Sequence, residues 1–228
     1  MKRVYYAPAA LISCILLLQG CAQPLAQQSG SNLIGSLALS AKSSSKPEPN
    51  DACYATAEEL AKSGHDREAI LLLEKVKRLT PKQDVSAELA VLYARNGNAS
   101  KAGREFELAL QANPKDAELL SNYGYFQLQV GNLTESERLL VRSTEIAPAN
   151  KQAQMNYALL LAHQGKISES LKRFEAIVGK AAAHSNVGVI LARNDQQAEA
   201  IKHLALARDL DPQLPQASAF LAELKEQP

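Results

Sequence analysis

Residues 121–148 read SNYGYFQLQVGNLTESERLLVRSTEIAP. Asn122-Tyr123-Gly124 opens an apolar-periodic run, Gly131 breaks it, a second run follows, and Pro148 closes it. The same grammar stands one unit earlier, in Tyr93, Gly97, Ala102, Phe106, Ala109 and Pro114. It stands again one unit later, in Tyr157, Gly165, Phe174 and Ile177. Gly97, Gly131 and Gly165 are each 34 residues apart, as are Pro114 and Pro148. A fixed period of this length marks a stacked repeat, in which each unit buries its apolar face against its neighbours.

The punctuation has a physical reading. The residues before the prolines (Thr80, Asn113, Ala147 and Asp211) are pushed out of the α region, so each proline ends a helix. Gly64, Gly97, Gly131 and Gly165 permit the positive φ that a helix C-terminus uses, and Asp195 stands where the fifth such glycine would be. Small residues mark the places where two helices cross closely: Ala69, Ala102 and Ala200 early in the second helix, Gly124 and Gly188 in the first. Ser136 and Ser170 replace the alanine and are still small. Phe106, Leu140, Phe174 and Leu204 are expected to fill the space between units.

Composition agrees with helices. The chain has 228 residues, is 46% hydrophobic and has no tryptophan, and its formal charge is +1. A near-neutral charge argues against nucleic acid as the main ligand, because phosphate binding needs a basic stripe. Cys14, Cys21 and Cys53 do not make a disulfide framework, since two lie in or beside the N-terminal segment.

That segment reads as an address. Lys2 and Arg3 precede an apolar run over Ala9 to Leu18, too short to span a bilayer, which needs about 20 residues, but suited to a signal-peptide core. Leu18-Gln19-Gly20-Cys21 resembles the bacterial lipobox. The resemblance implies a signal peptide over 1–20, cleavage before Cys21, and a lipid on its sulfur. Ala22, rather than aspartate, follows, which by resemblance favours the outer membrane and a periplasmic face. Cleavage removes Lys2 and Arg3 and leaves 23 basic against 24 acidic side chains, so the lipid alone must anchor the chain. Residues 21–49 are rich in Ser, Gln, Ala and Pro and read as a flexible tether spanning about 30 Å. Leu33-Ile34 and Leu37-Ala38-Leu39 are apolar exceptions that could dock on the domain or on a partner.

The repeat pattern resembles tetratricopeptide repeats (TPR). The resemblance implies an all-α fold: a right-handed superhelical solenoid of about five helix pairs over 50–214. The units fall near 50–82, 83–116, 117–150, 151–180 and 181–214. The fourth lacks a closing proline and is shortened, with Gly179 at its turn. Residues 215–228 read as a capping helix, with Ala219, Leu221 and Leu224 inward, because a terminal repeat exposes an apolar face.

Catalytic signatures are missing from the sequence. His65, His163, His184 and His203 show no metal-ligand spacing, and there is no phosphate loop or nucleophile elbow. Cys53 reads as a packing cysteine. Asn98-Ala99-Ser100 and Asn132-Leu133-Thr134 match glycosylation sequons but sit where turn and cap residues are expected. No enzyme activity, cofactor, metal or small-molecule substrate is expected.

The binding signal lies in the first helix of each pair, which in TPR arrays lines the inner groove. Ser121-Asn122-Tyr123-Gly124, Met155-Asn156-Tyr157-Ala158 and Ser185-Asn186-Val187-Gly188 repeat one phrase. By resemblance, Asn122, Asn156 and Asn186 form a ladder for an extended peptide, since an amide offers both a donor and an acceptor. Units one and two depart, with Ala55 and Glu88 there. Helical spacing puts Arg95, Tyr125, Gln129, Met155, Leu159, His163, Val189 and Arg193 in the same groove. With its lipobox, tether and repeats, the chain resembles the tight-adherence (Tad/Flp) pilus assembly lipoprotein and, less closely, the type IV pilus pilotin. The expectation is a scaffold for pilus or secretion-system assembly whose partners are proteins, with the membrane reached through the lipid. The alternative is a periplasmic adaptor that regulates cell-wall or polysaccharide enzymes.

Overall fold

The helix ends follow one rule throughout. The computed structural model describes residues 49–226, and every regular element among them is an α-helix. α1 (Pro49–Lys62) pairs with α2 (Asp66–Leu79), α3 (Ser86–Arg95) with α4 (Ala99–Ala112), and α5 (Ala117–Gln129) with α6 (Leu133–Ile146). α7 (Lys151–His163) pairs with α8 (Ile167–Val178), α9 (Lys180–Arg193) with α10 (Gln197–Leu210), and α11 (Pro215–Glu226) follows. This is the all-α superhelical TPR fold, with five helix pairs and a closing helix. The expected signal peptide, the expected lipidation site at Cys21 and nearly all of the expected tether lie outside the described residues.

Within a pair, the first helix ends in a tight, repeated motif. Gly64, Gly97, Gly131 and Gly165 have φ between +74° and +83°. The amide after each glycine returns to a carbonyl five residues back, as in Asn132 N–H to Gln127 O at 2.8 Å and Lys166 N–H to Leu161 O at 2.8 Å. That bond satisfies a helix-end carbonyl that would otherwise lack a partner. The fifth pair makes the same bond, Gln196 N–H to Leu191 O at 2.9 Å, around Asp195 at φ +60°. Between pairs, Thr80, Asn113 and Ala147 take nearly identical conformations, φ near −130° and ψ near 70°, each just before a proline. Asn98, Asn132 and Asn150 cap the next helices with their side-chain oxygens, so both sequon asparagines are helix caps.

The fourth unit is short for a backbone reason. Gly179 is at once the last cap of α8 and the first cap of α9, at φ 82° and ψ 168°. One residue does what four do at 113–116 and 147–150. That conformation is essentially open only to glycine.

The core runs between the two layers of helices. Ala57, Ala90, Gly124, Ala158 and Gly188 hold the same place in successive first helices, and the three alanines are fully buried. A Cβ on Gly124 would fall 2.6 Å from Leu140 Cγ, and one on Gly188 would fall 2.7 Å from Leu204 Cγ. Where the place is alanine, units two and four set Phe106 and Phe174 in the facing helix. The ring of Phe106 stacks on Tyr123 of the next unit at 4.9 Å between centroids. Burying a side chain of this size contributes about 1.5–3 kcal/mol. Ser136 and Ser170 are fully buried and do more than stay small. Their hydroxyls donate to Gly124 O and Ala158 O, both at 2.8 Å, tying the helices of a pair together.

α11 covers the last pair in a register that differs from the sequence reading. Ala217, Leu221 and Leu224 are buried, whereas Ala219 is exposed. The i, i+4, i+7 stripe starts at Ala217, and a residue two further on points about 200° away.

Candidate functional site

α1, α3 and α5, the first helices of three successive pairs, enclose an open cleft of about 460 Å³. Its floor is small and apolar: Ala57, Ala61, Val91 and Leu119. Such a floor follows from the repeat, which needs small residues where helices approach. Its polar rim holds Asn122 and Arg95, two of the residues expected in the groove, with Glu58, Glu88, Asp116 and Glu118. Asn122 is half-buried and lines the cleft.

The other expected residues do not all share this space. Asn156 is 3% exposed and committed to its own chain. Its Nδ2 donates to Ser121 Oγ at 3.0 Å, and its Oδ1 accepts from Gln152 Nε2 at 3.0 Å. It is an inter-repeat strut, and the ladder expected from the sequence is interrupted there. The first junction uses the same register differently: Tyr54 Oη donates to Glu88 at 2.7 Å. Glu88 holds the asparagine place of unit two, so this position joins neighbouring first helices. Hydrogen bonding to Glu88, with burial, pushes the Tyr54 phenol well above its ordinary value. At the junctions of units two–three and four–five, Ala87 and Met155 hold the places of Tyr54 and Ser121, and neither side chain has an oxygen to offer Asn122 or Asn186. Asn122 and Asn186 are both half-buried.

Val189 is fully buried in the core, and Met155 and Leu159 pack partly buried against the same cluster. Tyr125 packs against the small cluster of Leu128, Leu140 and Leu160. Gln129 and Arg193 lie near the ends of α5 and α9, away from this cleft. His163 lines a different cleft, of about 520 Å³, at the turns, with Gln164, Asn194 and Gln196. Burial lowers its pKa, against a hydrogen bond to Asn194. Of the expected set, then, the α1–α3–α5 cleft gathers Asn122 and Arg95.

Two features were not read from the sequence. One is the acidic rim of the cleft, which comes from residues in three separate units and forms no run. The other is a histidine pair: His184 Nδ1 and His203 Nδ1 lie 2.9 Å apart with their rings stacked at 5.1 Å. The antiparallel packing of α9 on α10 creates it, so no local spacing announces it. One nitrogen must donate and the other accept, so the contact needs at least one ring neutral. Burial lowers both pKa values, and for His203 the charge of His184 adds to it. No three His, Cys, Asp or Glu side chains among the described residues are grouped so as to hold a metal ion. No helix among them is long and apolar enough to cross a membrane.

No protein-family model matches the chain, and no curated protein matches it. Solved structures do. One is YrrB, described as a TPR protein with an unusual peptide-binding site, at 22% identity, 73% of this chain, 89% of that one and a TM-score of 0.54. Another is PilW, described as a widely conserved type IV pilus biogenesis factor, at 20% identity, 70% of this chain, 76% of that one and a TM-score of 0.57. A third is a thermophilic TPR protein of Thermus thermophilus, at 16% identity, 77% of this chain, 98% of that one and a TM-score of 0.57. At these identities the likeness establishes the TPR fold.

Proposed function

We propose that this chain is a non-enzymatic scaffold that holds extended segments of protein partners in the groove of its first helices. It serves the assembly of a pilus or secretion machine at the periplasmic face of the outer membrane, moored by lipid on Cys21. The observation that carries the reading is the α1–α3–α5 cleft, which sets the half-buried amide of Asn122 beside an apolar floor. An extended peptide offers donors and acceptors to such an amide, and apolar side chains to such a floor. The fold shared with YrrB and PilW supports the binding role, and PilW lends support to the pilus setting. The lipobox over Leu18 to Cys21 supports the placement.

The test is deletion of the gene in its host, complemented by the full chain or by Cys21→Ser. Loss of surface pili or of detergent-resistant secretin rings, restored by the full chain and not by Cys21→Ser, is expected. Intact pili and secretin with altered cell-wall or polysaccharide synthesis would contradict it and return the alternative reading.

A further inference from the structure

The rim of the α1–α3–α5 cleft is chemically one-sided. Glu58, Glu88, Asp116 and Glu118 line it, against Lys62 and Arg95. Both basic side chains are already matched by acids that do not line the cleft. Lys62 lies 3.1 Å from Glu59, and Arg95 lies 2.8 Å from Asp66. The four rim carboxylates come from α1, α3 and the start of α5, so they surround the groove rather than crowd one spot. Glu88 receives the Tyr54 hydroxyl, a neutral donor that holds the carboxylate in place without cancelling its charge.

We infer that the segment held in this groove is basic: an extended stretch of another protein in which Lys or Arg alternates with small apolar residues. This deepens the groove reading above and rests on it. Alternation follows from geometry, because successive side chains of an extended chain point to opposite sides. One side then meets the carboxylates while the other lies on Ala57, Ala61, Val91 and Leu119. Apolar contact supplies area, and the complementary charges set register and exclude acidic segments. The same rim repels nucleic acid and anionic lipid headgroups, whose phosphates need the opposite sign.

The experiment uses the full chain and two fluorescent nonapeptides, one alternating Lys with Ala or Val, the other with Glu in place of each Lys. Anisotropy is read at about 50 and 300 mM salt, where screening shortens markedly. The lysine peptide should bind, weaken several-fold at the higher salt, and weaken at least tenfold on Glu58→Lys/Glu118→Lys. Both substituted residues are exposed, and unchanged helicity confirms the fold of the variant. Equal or tighter binding of the glutamate peptide, weakened by the neutral, bulkier Val91→Phe, would overturn the charge assignment and leave the groove standing. Binding of the lysine peptide that ignores the double variant would also overturn it. Binding of neither peptide would overturn the groove reading and this inference together.

Discussion

Asn156 and Ser121 stand 35 positions apart and are joined, Asn156 Nδ2 donating to Ser121 Oγ at 3.0 Å inside the array. The strut makes the three asparagines of the repeated phrase unequal. Asn156→Ala should cost about 1–3 kcal/mol, because it leaves the buried Ser121 hydroxyl without its donor. Asn122→Ala and Asn186→Ala, half-buried, should each stay within about 0.5 kcal/mol. Denaturant midpoints of the three variants check this, and equal shifts would contradict it.

Two glycines inside helices, one at a crossing and one not, should respond in opposite directions. Gly124→Ala puts a Cβ 2.6 Å from Leu140 Cγ and 3.3 Å from Leu139 Cβ. Overpacking of this kind costs about 1–3 kcal/mol, more than the helix propensity returns. Gly103→Ala, in the interior of α4, meets only Phe126 Cε1 at 3.9 Å. It should stabilise by about 0.5–1 kcal/mol. Melting temperatures of the two variants should move apart, the first down and the second up.

Two turn positions predict a second pair of opposite signs. A Cβ added at Gly179 would meet nothing within 4 Å, so any loss on Gly179→Ala is a backbone effect. At φ 82° and ψ 168° that loss should be about 1–3 kcal/mol. Asp195 adopts φ +60° where four other units use glycine. Asp195→Gly should gain up to about 1 kcal/mol, as the left-handed conformation carries a steric cost for an L-residue. Thermal unfolding of both variants tests the two turn geometries.

The fold was legible because its signals are local and repeat. Proline, turn glycine and crossing alanine each report on a backbone angle or a contact fixed within one unit, so Gly131 and Pro148 carried the architecture. The site was legible only in part, because its chemistry lies between units. Asn122 and Asn156 look alike in sequence, and the residue across the junction (Ala87 or Ser121) separates a half-buried amide from a buried strut. The acidic rim and the His184–His203 pair likewise arise from helices that meet only once stacked. Ala219 was misplaced for a smaller reason: a short terminal helix has too few apolar positions to set its phase.

Acid should weaken the fourth and fifth pairs, which hold His163 and the His184–His203 contact. His184 and His203 both have lowered pKa values when folded, with burial the leading cause. The unfolded chain therefore binds more protons as pH falls below the ordinary histidine value of about 6.5. The stabilisation is fully present above that pH and is lost as pH falls toward the folded values. Glu175 at the end of α8 and Glu199 on α10 raise the pair's affinity for protons, and Lys180 and Lys202 oppose them. Carboxylates held low by partners, such as Glu74 with Tyr93 and Glu137 with Gln164, lose their contribution only below about pH 4.5. Between pH 7.5 and 5.5 the wild-type midpoint should drop, and His203→Gln should reduce that slope, with buried His163 supplying the remainder. Equal slopes would contradict the role given to the pair.

Where a partner lies decides between a groove that binds and one that is merely solvated. A photo-crosslinking residue placed at Asn122, in the α1–α3–α5 cleft, can be compared in the living host with one at Leu108, 46% exposed on α4. The account predicts discrete crosslinked protein bands from position 122, weakened by Glu58→Lys/Glu118→Lys, and none of the same mass from position 108. Matching bands from both positions, or bands from 108 alone, would contradict a groove that holds its partner.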